Sequence, residues 1–152
     1  MNNSTVRFVL ALVALVFGAA AEELLPKALG VGFPALLAMV PVVAMRPPAA
    51  LPVLFALSAG AVEDSLSGLP FMTSASYFLL VVVLVRWSRL PAVVAAVSFP
   101  VYQGWLCLWT TGLQGSVFGR TLVAIPFGLV AYAVVAPLLR AVERKAAADE
   151  EG

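Results

Sequence analysis

The chain has 152 residues, 62% of them hydrophobic and only 11% charged, with a net charge of +1 and a mean hydropathy of +1.04. A soluble domain carries roughly 25% charged residues, so this composition excludes a water-soluble globule and points to an integral membrane protein. No basic cluster is long enough for nucleic acid, the absence of histidine removes the commonest metal ligand and general base, and the lone Cys107 cannot close an intramolecular disulfide.

Taken in chain order, the first apolar stretch predicts a membrane helix over about 7–25. Residues 1–7 are polar, Phe8 to Ala21 are apolar, and the run ends Gly18-Ala19-Ala20-Ala21-Glu22. A signal peptide cut after Ala21 competes with a retained helix. The single positive charge before the apolar run and the membrane-like remainder favour retention. Glu22 and Glu23, with Lys27 beyond them, then mark where the helix meets outer water. This acid pair resembles the paired glutamates of CPBP-type intramembrane proteases, but that family also needs histidines on other helices, and the chain has none.

A second span is predicted over about 28–45, entered through Gly30, Gly32 and Pro34, kinked at Pro41 and closed by Arg46-Pro47-Pro48. The third covers 49–66, with Pro52 in its first turn, where a missing N–H is harmless. The fourth, 71–85, is short for a hydrocarbon core of about 30 Å and ends at Arg86, Trp87 and Arg89, an interfacial aromatic flanked by charges. The fifth, 90–109, is interrupted by Pro100. After a loop carrying Gly112, Gly115 and Gly119, the sixth covers 121–139. Residues 1–140 thus read as one polytopic all-α domain of six transmembrane helices, and 141–152 as a charged tail. No internal repeat stands out.

Six spans put both termini on one side of the membrane. With the termini cytoplasmic, the inner positions hold Arg7, Arg46, Arg86, Arg89, Arg140, Arg144 and Lys145, and the outer ones only Lys27 and Arg120. That asymmetry satisfies the positive-inside rule and leaves Glu22, Glu23, Glu63 and Asp64 toward the outer leaflet.

The densest set of informative residues lies between the third and fourth spans. Ala56, Gly60 and Asp64 recur every four residues, making one helix face of small residues that ends in a carboxylate. A neighbouring helix can approach such a face closely. An acid inside an apolar segment costs several kcal/mol if it faces lipid, so Asp64 is expected to point into the bundle. There it can accept bonds from the N–H groups opening span four, near Phe71 to Thr73, and from hydroxyls such as Ser74. Glu63 is expected near the outer interface. Adjacent acids on a helix point about 100° apart, which is wrong for two carboxylates flanking one bond, and no nucleophile, phosphate loop or ligand set accompanies them. An ion or proton site is the competing reading of the pair. Thr73, Ser76, Tyr77 and Leu80 share one face of span four, and Ser98, Tyr102, Trp105 and Trp109 one face of span five. These suit interhelical hydrogen bonds and interfacial anchors; the alternative is the lining of a pocket open to the outside.

Gly60-Ala61-Val62-Glu63-Asp64, then Ser67-Gly68-Leu69-Pro70, then Ala75 and Tyr77, resemble the central signature of the rod shape-determining protein MreD family: Gly-x-x-x-Asp, a short glycine-containing turn, and another hydrophobic helix. Met72 stands where many members carry a second turn glycine, and Glu63 where an apolar residue is usual. The resemblance implies a non-enzymatic, multi-pass component of the bacterial inner membrane, without cofactor or metal. In that role it would link the cytoplasmic MreB filament to MreC, to RodA and to a penicillin-binding transpeptidase. It further implies a fold like that of the substrate-binding subunits of energy-coupling-factor transporters, and such a subunit is the alternative function. Gly60, Asp64, Glu63, Gly68, Ala56, Tyr77 and Tyr102 are the candidate structural or partner-binding residues.

Overall fold

The structure, a computed structural model, describes residues 3–29 and 35–110, and positions 126, 129, 130, 132–138, 140, 141, 144 and 148. Its elements are α1 (Asn3–Leu29), α2 (Ala35–Ala44), α3 (Ala50–Ser67), α4 (Thr73–Ser88) and α5 (Pro91–Thr110). The described positions from 126 onward are helical as well, and no strand occurs among the described residues. The loop expected over 110–120 and the charged end of the tail lie almost wholly outside the described residues.

Among the described residues, two helices are long and apolar enough to cross a membrane: α1 through Thr5–Leu24, and α3. The helix of the second expected span begins only at Ala35. Its ten residues rise about 15 Å, half of a ~30 Å core. All but Met39 are buried, so α2 is apolar all round because protein surrounds it. It packs against α1, α3, α4 and α5. Two expectations differ: α1 runs past its expected end near 25, through Pro26 to Leu29, and α5 runs through the expected interruption at Pro100. A helix-interior proline deletes one backbone bond, and near Pro100 hydroxyls bond to the local carbonyls. Ser98 Oγ donates to Ala95 O (2.9 Å) and Tyr77 Oη to Ser98 O (2.5 Å).

The core joins Leu36 and Leu37 of α2, Phe55 of α3, Phe78 of α4 and Phe99 of α5, and Val135 and Ala136 close it. The outer faces are apolar too: Val16 and Phe17 on α1, Val83 on α4, Val97 on α5 and Val130 are all exposed. A molecule apolar inside and out suits a lipid surround.

Basic residues collect around the link from α2 to α3. Arg86 Nε donates to Ala44 O (3.0 Å), Arg46 Nε to Val42 O (3.3 Å) and Arg7 Nη1 to Pro47 O (3.4 Å). Cations thus cover the carbonyl end of α2, where the helix dipole is negative. Burial, and then the nearby charges of Arg140 and Arg7, hold Arg46 below its ordinary value.

The link from α3 to α4 is a helix stop followed by a helix start. Gly68 is left-handed (φ 63°, ψ 26°) and its N–H bonds to Asp64 O, as does that of Leu69 at 3.0 Å. A side chain there would meet nothing within 4 Å, so the demand is on the backbone alone. Thr73 Oγ1 donates to Pro70 O (2.7 Å), and Met72, just ahead of α4, is left-handed as well (φ 72°). That conformation costs a residue with a Cβ about 1–2 kcal/mol. Met72→Gly is therefore expected to raise stability by up to about 1 kcal/mol, and Gly68→Ala to lower it by about as much. Thermal unfolding in detergent measures both; shifts of the same sign would contradict this account of the link.

Candidate functional site

The first turn of α4 is the point on which three helices converge. Gly60 of α3 lies against the Ala75 backbone, and a Cβ added at Gly60 would run into the Ala75 Cα and N and come within 2.8 Å of its Cβ. Ala56, one turn earlier on the same face, is fully buried. One turn later comes Asp64, only 3% exposed, whose Oδ1 accepts the Ser74 N–H at 2.8 Å. An N-terminal turn leaves its amides without intrahelical partners and carries partial positive charge. The carboxylate satisfies one such amide and gains from the dipole, an interaction of up to about 2 kcal/mol where partly buried. The bond goes to the Ser74 amide, just past the Phe71 to Thr73 stretch anticipated from sequence. The Ser74 hydroxyl is engaged elsewhere.

That hydroxyl shares a hydrogen bond of 2.7 Å with Tyr102 Oη of α5. Beside it, Trp105 Nε1 donates to Thr73 O at 3.1 Å. The rings close the seam, with Tyr77 and Tyr102 centroids 5.0 Å apart and Phe78 and Tyr102 5.7 Å apart. Ser74, Tyr77, Ser98, Tyr102 and Trp105 therefore bond to one another or to backbone and join the two helices; the side chain of Trp109 lies outside the described residues.

A second arrangement of the same kind, not anticipated, joins α1 to α2. Ala14, Gly18 and Glu22 occupy one face of α1 at the same four-residue spacing. Ala14 is buried, and a Cβ at Gly18 would come within 2.8 Å of Leu36 Cδ2 and 3.2 Å of Met39 Sδ. Glu22 Oε1 accepts the Leu36 N–H at 2.9 Å, in the first turn of α2. Each hairpin is thus made the same way: alanine, glycine, then an acid that holds the N-terminus of the next helix. The signal was present as Ala-x-x-x-Gly-x-x-x-acid, written twice. It is masked by the interfacial reading of Glu22 and by the different lengths of chain between each acid and its amide. Glu22 is not a marker of outer water, because its carboxyl is engaged within the bundle.

The two acids share one more property. Glu22 Oε2 and Asp64 Oδ2 are both buried, and the Glu63 side chain lies within hydrogen-bonding reach of Glu22. Glu63, half-buried, takes a bond from Ser67 Oγ at 3.3 Å and stands as an electrostatic neighbour of Glu22. Glu22, Glu63 and Asp64 all act on Tyr102, so acids from α1 and α3 gather at this end while the arginines gather around the α2–α3 link. Among the described residues, no group of three such side chains is arranged to hold a metal ion. Of the residues singled out from sequence, Ala56, Gly60, Asp64, Tyr77 and Tyr102 converge here; Gly68 shapes the link and Glu63 faces α1. Compared with known proteins, the chain matches no family model, no curated protein and no solved structure.

Two outcomes follow from this geometry. Gly60→Ala should destabilise by about 1–3 kcal/mol, the usual cost of overpacking. Gly104→Ala, where an added Cβ meets nothing within 4 Å, should be neutral or stabilise by about 0.5–1 kcal/mol. Equal losses at both, in thermal unfolding of the detergent-solubilised protein, would remove the close approach as the reason for Gly60. Asp64→Asn, which keeps an acceptor for the Ser74 amide, should accumulate in the membrane nearly as the parent does. Asp64→Leu should lose about 1–3 kcal/mol and accumulate poorly; similar levels for the two would show that the amide does not need its acceptor.

Proposed function

We propose that this chain is a non-enzymatic, multi-pass membrane component of the bacterial cell-elongation machinery, of the kind the MreD resemblance implies. In this role six spans place both termini in the cytoplasm. The protein ties the MreB filament to MreC, RodA and a penicillin-binding transpeptidase, through helix faces and not through a reaction. One observation carries the reading: the residues that bear the resemblance form a single packing unit. Gly60 meets Ala75, Asp64 holds the Ser74 amide, and Gly68 turns the chain between them. Met72, which departs from the family pattern, has a left-handed backbone, the conformation a glycine adopts without cost.

Further support comes from the charge at the two ends. Arg7 and Arg140 both flank Arg46, which suits an even number of crossings with arginines facing the cytoplasm. The transporter-subunit alternative calls for a polar binding cavity; the hydroxyls best placed to line one are engaged between α4 and α5.

In-membrane crosslinking of the tagged protein, with identification of what is captured, tests the role directly. Recovery of MreC, RodA or the transpeptidase is expected, and recovery of ATPase subunits instead would overturn it. Asp64→Asn should also restore rod shape in cells lacking the native copy. Normal accumulation with no rescue would shift Asp64 from packing to an ion or proton site.

A further inference from the structure

We propose that the cleft between α4 and α5 is a binding site for one acyl chain of an anionic phospholipid, with the headgroup held at Arg89 beside the Trp87 indole. The inference rests on the membrane reading above and is independent of the cell-elongation role. The cleft encloses about 290 Å³ and is walled by Leu80, Leu84, Val93, Val97 and Val101. Its polar boundary at the inner end is already satisfied, since Tyr77 Oη donates to Ser98 O. Apart from Tyr77 and Ser98, the walls short of Trp87 are aliphatic, which suits a hydrocarbon chain.

Length and charge identify the occupant. From Tyr77 to Ser88 the lining follows α4 for three turns, about 16 Å at 1.5 Å per residue. That is half of a ~30 Å hydrocarbon core, the depth of one leaflet. That length suits one acyl chain lying along α4. The mouth of the cleft has the features of a headgroup site. Trp87 is 83% exposed, as an interfacial anchor is. Arg89 is exposed and set in place by its left-handed cap, its N–H on Val85 O at 2.8 Å. Arg86 stands one turn back on α4. Among the described residues, Glu22, Glu63 and Asp64 lie toward the opposite end of this helix, beside Ser74, so the described charge at the mouth is positive and favours an anionic headgroup over a zwitterionic one.

The test uses the full chain in mild detergent, with native mass spectrometry after addition of phosphatidylglycerol or phosphatidylethanolamine. The parent should retain one phosphatidylglycerol in preference to phosphatidylethanolamine. Val97→Trp, which fills the cleft, should lose that adduct, while Val130→Trp on another exposed face should keep it. Arg89→Gln should leave acyl binding but reduce the anionic preference about fivefold, the worth of one charge near the surface. Equal binding of the two lipids by the parent, or an unchanged preference in Arg89→Gln, would overturn the proposal even if Val97→Trp fails to fold. A photo-crosslinking residue at position 97 should capture lipid in membranes; capture of a protein instead would assign the cleft to a partner helix and defeat the lipid site. If the chain partitions into the aqueous fraction without detergent, the membrane reading itself falls.

Discussion

A carboxylate inside an apolar bundle has to be answered by a donor, and the first turn of α4 supplies one to Asp64. Most of the arrangement at that end depends on this bond. The same residue closes α3, because the Asp64 carbonyl receives the two amides of the turn at which Gly68 reverses the chain. It fixes α4 in register with α3, so that Ala75 comes opposite Gly60, the one residue of the face without a Cβ. With α4 so placed, the Ser74 hydroxyl and the Thr73 carbonyl face α5, and Tyr102 and Trp105 find their partners. Inside a membrane each interhelical hydrogen bond is worth on the order of 0.6–2 kcal/mol, so no single one decides the fold. Their convergence on one turn makes the three helices dependent on a common placement.

The same solution appears at α1 and α2, where Gly18 and Glu22 stand in for Gly60 and Asp64. Helix association in lipid cannot draw on the hydrophobic effect, because lipid tails are as apolar as the side chains they would replace. Close contact through small residues and a polar tie at the end of each hairpin are what remain. That both hairpins use the pair in the same order indicates that the bundle is assembled from two similar units, with α5 and the last helical segment packed onto them.

Charge is divided between the two ends with equal economy. Glu22 of α1 and Asp64 of α3 face helix N-termini, and Arg46 and Arg86 face the carbonyl end of α2 with Arg7 alongside. Each set therefore complements the dipoles it meets. On the reading proposed above, this division would orient the molecule in a bilayer, with the headgroup site at the arginine end, at the mouth of the α4–α5 cleft.

Sequence alone determined the class of the molecule and the position of its helices to within a few residues in most places, since hydropathy and the proline, glycine and arginine punctuation are local properties. It also determined that Ala56, Gly60 and Asp64 share a face, because a helical period needs no partner to be read. What it left undecided were the facts that depend on a second helix. Glu22 reads as an interfacial acid until α2 is seen to present the Leu36 amide. The second apolar stretch shows no covered face of its own until protein is found around nine of the ten residues of α2. The hydroxyls of α4 and α5 read as a seam, with a lining as the alternative, and only the tertiary structure gives each its partner. Met72 looks like a neutral departure from a pattern until its backbone proves left-handed. In each case the deciding term is a contact between residues remote in sequence, and the energy of a buried polar group is set by what it meets, not by what it is.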